Sequence, residues 1–386
     1  MRIVHIADLH LGKSLFDYSL LGDQRAWLAS FVAFLRAQKA DALVIAGDVY
    51  HRSVPPTDAV GLLDDFLSEV AHNLRIPVLM IAGNHDSGQR LGFASRFIER
   101  GGLFVAGNPD KTPKTVTLRD EHGEVTFALL PYFEPYQMRK LFRDGEIKTC
   151  NDALKAVATN GFDGLDYTGR NILVAHGFFG RDSALARFSD SERGVGGTDL
   201  MDSGLVERFD YVALGHLHAP QTAGAPHIRY AGSPLKYSLS EVTQNKSVTI
   251  IDLGRKGEVS IRCEQIAPLR DLRIVTGTIA QLTDKALQEQ YSLDDYVYAV
   301  ITDRNEVYNA IDKLRAVFPN IVGLKREIDD AGAVGSVAAG EQLARKTPDE
   351  LFASFYHEML GEEISPVRAK IVHDTLMQAQ REEPDE

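Results

Sequence analysis

Five short segments carry side chains that bind metal ions or move protons: Asp8-Leu9-His10, Gly47-Asp48, Gly83-Asn84-His85-Asp86, His176-Gly177 and Gly215-His216-Leu217-His218. They supply carboxylates, imidazoles and one amide, but no thiolate. That donor set suits Mn²⁺, Fe or Zn²⁺ at a catalytic rather than a structural position. The Asp48 carboxylate has two oxygens and can bridge. Two cations about 3.5–4 Å apart clamp a phosphate and activate a water for in-line attack. His85 follows Asn84, placed to stabilise a transition state or protonate a leaving oxygen. Asp86 is the carboxylate expected to orient the His85 imidazole. Within Asp-x-His and His-x-His, extended backbone would send both side chains the same way. A lone Asp-x-His, or a lone Gly-Asn-His-Asp, is as readily a turn. Their occurrence together, in order and each after an apolar run, is what points to one site.

The elements that must position these residues alternate. Strands are expected at residues 2–7, 42–46 and 77–82, with helices at 23–38 (Trp27, Phe31, Phe34 and Leu35 at helical spacing) and 57–73 (Leu63, Phe66, Leu67 and Val70). Thr57 is the expected N-cap of the second helix. Further strands at 171–175 and 210–214 run into His176 and Gly215. Open α/β sheets place their sites at the carboxyl ends of strands. Residues 183–202, polar and glycine-rich, read as a mobile loop near the site. From about 226 to 266 the pattern is β-rich, with a hairpin at 248–253 and 259–263. Residues 270–328 read as a second small α/β unit: strands at 272–276, 296–302 and 321–325, helices near 284–290 and at 305–317. A linker at 330–340 leads to a helical tail. Thr347-Pro348-Asp349-Glu350 is a capping box with Pro at the first helical position, followed by Leu351, Phe352, Phe355, Tyr356, Met359 and Leu360 as an apolar stripe. Ser365-Pro366 starts a second helix with Val367, Ile371, Val372 and Leu376 on one face.

With 386 residues the chain exceeds one ordinary core, so a large domain plus smaller parts is expected. Hydrophobic residues at 44% and charged residues at 25% are ordinary for a globular protein. No stretch approaches the ~18 apolar residues of a membrane span. The first apolar run leads straight into Asp8 and His10, which signal cleavage would remove. Two cysteines, Cys150 and Cys263, cannot make a disulfide framework, which fits a reducing cytoplasm. The net charge of −12 and pI of about 5.5 count against a polyanion ligand for the chain by itself. Divalent cations would reverse the local sign at the acidic site, and a partner could add basic surface.

Together the five segments resemble the calcineurin-like metallophosphoesterase superfamily, from residue 1 to about 253. The resemblance implies an α/β fold, a β-sandwich flanked by helices. It implies that Asp8 and His10 bind one metal with His218, that Asp48 bridges, that Asn84, His176 and His216 bind the second, and that His85 is the catalytic histidine. Three details narrow the branch: His51 three residues after Asp48, the opening Ile6-Ala7-Asp8-Leu9-His10-Leu11-Gly12-Lys13, and Tyr230-Ala231-Gly232-Ser233-Pro234. With the small α/β unit and the helical tail, they resemble the SbcD family of nuclease subunits. That likeness covers nearly the whole chain. It implies a nuclease domain at 1–265, an α/β capping domain at 266–330, a linker at 331–345 and a helical tail at 346–380. It also implies Mn²⁺ as the divalent metal, 3′-to-5′ trimming of double-stranded DNA ends and nicking of hairpins. The ATPase SbcC would dock its coiled-coil base on the tail, and a homodimer would sit within a heterotetramer. His51 is either a phosphate-contacting member of the site or a solvated loop histidine. Lys13, Arg52, Arg90, Arg187 and Lys236 are the candidate contacts to a DNA backbone. Two other readings compete, a phosphodiesterase or phosphatase for small molecules or proteins and a non-catalytic scaffold. The complete ligand set with His85 argues against the scaffold, and the extra unit and tail against a stand-alone small-molecule enzyme.

Overall fold

Strands at the start of the chain bury both faces. Ile3, Ala42, Val44, Leu79 and Ile81 face one apolar layer, while Val4, Ile6, Leu43, Ile45, Val78 and Met80 face another. This two-sided burial is why they read as continuous apolar runs rather than as alternating ones. The computed structural model describes residues 1–162, 164–181, 199–284, 292–303, 305, 307–327, 352, 353, 356 and 364–373. In it β1 (Arg2–Ile6), β2 (Ala42–Ala46), β3 (Val78–Ile81) and β4 (Leu103–Ala106) run parallel, side by side. The next six strands are β5 (Lys114–Asp120), β6 (Gly123–Leu130), β7 (Arg170–His176), β8 (Tyr211–Gly215), β9 (Gln221–Ala223) and β10 (Ala225–Tyr230). They form a second sheet in the order β9-β10-β8-β7-β6-β5. The chain then returns to the first sheet, where the hairpin β11 (Val248–Leu253) and β12 (Val259–Glu264) joins antiparallel to β1.

The sheets pack face to face through Ala42, Val44, Leu79, Phe127, Ile172, Val174 and Ala213. Helices α1 (Leu21–Gln38) and α2 (Thr57–Leu67) cover the outside of the first sheet with Trp27, Phe31, Leu62 and Phe66. Helices α3 (Pro135–Phe142) and α4 (Cys150–Ala156) cover the second with Met138, Ala153 and Leu154. The result is the expected sandwich flanked by helices, a four-layer α/β arrangement.

Several expected boundaries move. Pro56, in extended backbone, is the residue that precedes α2, and Thr57 is its first helical residue with no capping hydrogen bond. The first turn is tied to the Pro56 carbonyl, which accepts the Ala59 and Val60 N–H groups at 3.0 and 3.2 Å. From residue 68 the helix widens to π winding as far as Asn73. The helix expected at 305–317 is only Ala310–Arg315, because Asn309 takes a left-handed φ of 53°. The loop at 183–198, the helix near 285–290, the linker and most of the tail's first helix lie outside the described residues.

Residues 1–326 form one compact unit. Within it β13 (Leu272–Gly277), β14 (Tyr296–Ile301) and β15 (Ile321–Arg326) make a small parallel sheet with its own apolar cluster. This sheet docks on the first turn of α1. Buried Asp23 accepts from the Tyr296 hydroxyl at 2.8 Å and pairs with Arg270 at 3.1 Å. Residues 327–386 form a second unit, in which residues 366–373 are helical and Val367 and Ile371 are exposed.

The edge of the second sheet carries a half-buried ion pair. Arg170 donates to both Asp120 oxygens at 2.9 and 2.5 Å, and to the carbonyls of Gly123 and Gly254. The Arg170 hydrogen bonds hold the Asp120 carboxyl well below the usual range. Its contribution to stability is therefore full above about pH 4 and is lost as pH falls through the depressed value. Arg170→Ala is expected to cost about 1–3 kcal/mol at neutral pH, since Asp120 keeps the N-terminal ammonium at 2.8 Å while the Gly123 and Gly254 carbonyls lose their donor. The loss should shrink on acidification, as thermal unfolding at pH 7 and pH 3 will show.

Candidate metal centre

Both sheets end at the same place. The loops after β1, β2 and β3 carry Asp8 and His10, Asp48, and Asn84 and His85, while β7 and β8 run into His176 and His216. Backbone hydrogen bonds tie the first two loops together, with the Asp8 N–H donating to Gly47 O at 3.0 Å and the His10 N–H to Asp48 O at 2.9 Å. The expected extended alternation is not what aligns the side chains. Asp8, His10 and Asp48 are left-handed, with φ of 55°, 44° and 49°, and His216 has φ of 112°. Such backbone costs on the order of 1–3 kcal/mol per residue and persists only where its surroundings impose it. Gly47 (φ 88°) is required, because a Cβ there would lie 2.3 Å from His176 Nδ1. Gly215 is required for close approach, since its Cβ would lie 2.0 Å from the Ala46 oxygen.

All seven expected ligand residues converge. His10 Nε2 lies 3.1 Å from His218 Nε2 and 3.5 Å from an Asp48 oxygen. The other Asp48 oxygen is 3.6 Å from His176 Nε2. Asn84 Oδ1 is 2.9 Å from His176 Nε2 and 3.2 Å from His216 Nδ1. Asp8, His10 and His218 form one tight group of potential ligand atoms, and Asp8, Asp48 and His176 another.

The donor chemistry fits cations. His176 Nδ1 faces the Ala46 carbonyl at 2.8 Å, and His218 Nδ1 faces a Glu241 carboxylate oxygen at 2.9 Å. Each Nδ1 must therefore carry the proton, which leaves a lone pair on Nε2. The His176 lone pair then points at the Asn84 oxygen, another lone-pair atom, and a cation reconciles the two. His10 Nε2 and His218 Nε2, 3.1 Å apart, are close enough to ligate one ion between them. Burial pushes His10 and His176 below the usual histidine range, and burial followed by the His176 neighbour takes His216 to about 3. These rings are neutral and ready to ligate.

His85 sits beside this group, its ring centroid 4.8 Å from that of His10. Its backbone N–H donates to Asp48 Oδ1, and its ring Nδ1 faces the His51 carbonyl at 2.9 Å. The expectation that Asp86 orients this imidazole is corrected. Asp86 accepts the backbone N–H groups of Val49, Tyr50 and Gly83, so it locks the loops rather than the ring. Burial and then Asp48 push Asp86 up to about 7, opposed by those three donors. His51 is half-buried, with its ring stacked on His85 at 5.6 Å. Burial, then Lys13, lowers it to about 4. Among the candidate basic contacts, Lys13 is buried over the Tyr237 ring and Lys236 is paired with Asp271 at 2.8 Å. Arg52 and Arg90 are exposed, and Arg187 lies outside the described residues.

Sequence reasoning missed a supporting layer. Tyr237 donates to the Leu9 carbonyl at 2.5 Å, and Gln24 to the His10 carbonyl at 2.8 Å. Gln24 could have been noticed as an amide on the apolar stripe of a predicted helix. Glu241, Lys246 and Tyr237 carried no local signal.

This sandwich, with carboxylates, imidazoles and an amide converging at its strand ends, defines a metallophosphoesterase architecture. The chain belongs to the calcineurin-like phosphoesterase family, whose model matches residues 1–220. A second family, described as the type 5 capsule protein repressor C-terminal domain, matches residues 268–359. The chain is 30% identical over 376 residues, 97% of each protein, to the SbcD subunit of the nuclease SbcCD from Staphylococcus epidermidis. It is 29% identical over 99% of each protein to the subunit of the same name in Staphylococcus saprophyticus. A solved dimetal phosphatase from Danio rerio is 12% identical with a TM-score of 0.40, covering 70% of this chain and 98% of that one.

Gly47→Ala is expected to weaken divalent-metal binding about 10–100-fold, the usual effect of disturbing the group that orients a ligand histidine. Calorimetric titration checks this; an unchanged affinity would mean that the His176–Ala46 contact does not set the ring's position.

Proposed function

We propose that the chain is the nuclease subunit of an SbcCD-type complex, a metal-dependent phosphodiesterase that processes DNA ends. The observation that carries this reading is the end-to-end likeness to two nuclease subunits, which extends beyond the phosphoesterase domain through the small unit and tail. Asp8, His10 and His218 would hold one cation and Asn84, His176 and His216 the other, with Asp48 shared between them. Mn²⁺ suits this mixed oxygen and nitrogen set. Divalent cations bound there supply Lewis acidity and activation of the attacking water. The chain's own residues do the rest. His85, with Nδ1 toward the His51 carbonyl, directs Nε2 at the reacting phosphate and serves the leaving oxygen. His51, stacked on that ring, keeps it in place and lies within reach of a phosphate. Asp86 clamps the loops that carry Asp48 and His85.

The substrates in this reading are double-stranded DNA ends, trimmed 3′-to-5′, and hairpins. The net charge of −12 means that long-range attraction for DNA comes from the partner. That partner is the ATPase SbcC, docking on residues 346–380, in a heterotetramer built on a dimer of this chain. The exposed Val367 and Ile371 on the helical stretch 366–373 support such a docking face. Among the described residues no helix is long and apolar enough to cross a membrane, and the proposed site of action is the cytoplasm.

His85→Asn is expected to keep metal content while lowering Mn²⁺-dependent hydrolysis of bis-p-nitrophenyl phosphate and linear duplex DNA about 10²–10⁴-fold. Near-wild-type turnover with full metal removes His85 from the chemistry. Asp48→Asn is expected to lower metal occupancy more than Asp8→Asn in a Mn²⁺ titration, because its carboxylate would serve both cations. Two unchanged events in the Asp48 variant would refute bridging. Deleting 341–386 should abolish co-purification with SbcC and leave small-phosphodiester hydrolysis intact. A truncated chain that still forms the complex overturns the docking assignment.

A further inference from the structure

The imidazoles of the centre are not backed equally. His176 is held by a neutral carbonyl, that of Ala46. His218 is held by a carboxylate, Glu241, which is fully buried on the short helical turn Leu239–Glu241. One Glu241 oxygen takes His218 Nδ1 at 2.9 Å and the Ser238 hydroxyl at 3.1 Å. The other takes the Lys246 ammonium at 2.6 Å and the Tyr237 N–H at 3.1 Å. Lys246 in turn donates to the His218 carbonyl at 2.9 Å and to Ser233 Oγ at 2.8 Å. The Ser233 N–H also donates to the His218 carbonyl, at 3.1 Å. The Tyr230–Pro234 motif thus serves the same histidine, from its backbone side.

We infer that Glu241 is the positioning residue of His218 and that its buried charge makes the His10–His218 side the tighter of the two cation positions. The inference rests on the metal reading given above. The hydrogen bond fixes the His218 tautomer and aims its Nε2 at His10. The charge is also lopsided: Asp8 and Asp48 lie within reach of both sides, but only the His10–His218 side has a further carboxylate, Glu241, one layer back. The other side is completed by the neutral Asn84, His176 and His216. In a buried, low-dielectric setting an extra anion one layer from a ligand is felt strongly. Lys246 offsets part of that charge and anchors the carboxylate, which would otherwise be buried without a cation.

The test is a calorimetric Mn²⁺ titration of the full chain. Wild type should bind in two resolved steps. Glu241→Gln keeps an acceptor for Nδ1 but loses the charge, and should weaken the tighter step about 10–100-fold while sparing the weaker one. Because Glu241→Gln takes the carboxylate from the Lys246 ammonium and could fail to fold, the double variant Glu241→Gln/Lys246→Met removes both charges and should show a smaller loss confined to the same step. Imidazole ¹⁵N NMR of the metal-free protein should report His218 protonated at Nδ1 in wild type and in a mixture of tautomers in Glu241→Leu. If wild type binds no Mn²⁺, the metal reading itself fails and this inference with it. If wild type binds two ions but with one affinity, or if both steps fall equally in the variants, the Glu241 inference alone is overturned. A wild-type His218 lacking the Nδ1 proton overturns it as well.

Discussion

The carbonyl oxygen of Ala46, at the last residue of β2, is the point on which this site depends. It accepts a hydrogen bond from His176 of the opposite sheet, and the backbone of Gly215 comes so close that no Cβ fits between them. Packed sheets ordinarily stand about 10 Å apart with side chains between them. Here they touch at one end, backbone against backbone. That contact brings the carboxyl ends of β1, β2 and β3 together with those of β7 and β8, so residues more than 200 positions apart in the chain, such as His10 and His218, face one another at 3.1 Å. Neither sheet holds a complete donor set.

Holding that set in place is unfavourable by itself. Left-handed backbone at Asp8, His10 and Asp48 carries strain. Buried imidazoles present lone pairs to one another and to carboxyl and amide oxygens. The fold opposes these costs with fixed hydrogen bonds, among them the three N–H groups on Asp86 and the carbonyl contacts of Gln24 and Tyr237. A site so arranged gains stability from any cation it binds, by mass action, so metal affinity and fold stability are linked.

The first turn of α1 connects the site to the small α/β unit. Asp23 turns outward to Arg270 and Tyr296 of that unit, while its neighbour Gln24 turns inward to the carbonyls of Leu9 and His10 and to the Gly12 N–H. A shift of the small unit would be felt at the His10 loop within one residue of chain. The unit is therefore part of the site's support rather than an appended module.

Much of the fold is legible in the sequence. The apolar runs locate β1, β2, β3, β7, β8 and β11 to within a residue or two, because strands buried on both faces leave an unbroken apolar signal, while β12, only partly buried, is found as the partner of β11. The ligand types are legible too, since Asp, His and Asn at strand ends have few other reasons to recur in that order. Some elements leave a weaker trace, among them β5, α3 and α4, and β6 goes unread although Phe127–Leu130 is an apolar run; together they build and cover half of the second sheet. Thr57 and residues 305–309 mislead because capping and helix starts turn on single φ angles, such as that of Asn309, which side-chain identity decides only weakly. Sequence alone could name the donors but not their geometry. Extended alternation was the wrong reason for their alignment, and left-handed backbone imposed by inter-loop hydrogen bonds is the right one. Asp86 looked like a partner for its neighbour His85 and instead holds three backbone groups, since a buried carboxylate takes whichever donors the fold delivers. Glu241 and Lys246 had no signature at all. Their role exists only because the chain, after leaving His218, folds back to place a carboxylate against the ring's far nitrogen, and no local pattern encodes a contact between residues 23 positions apart in sequence.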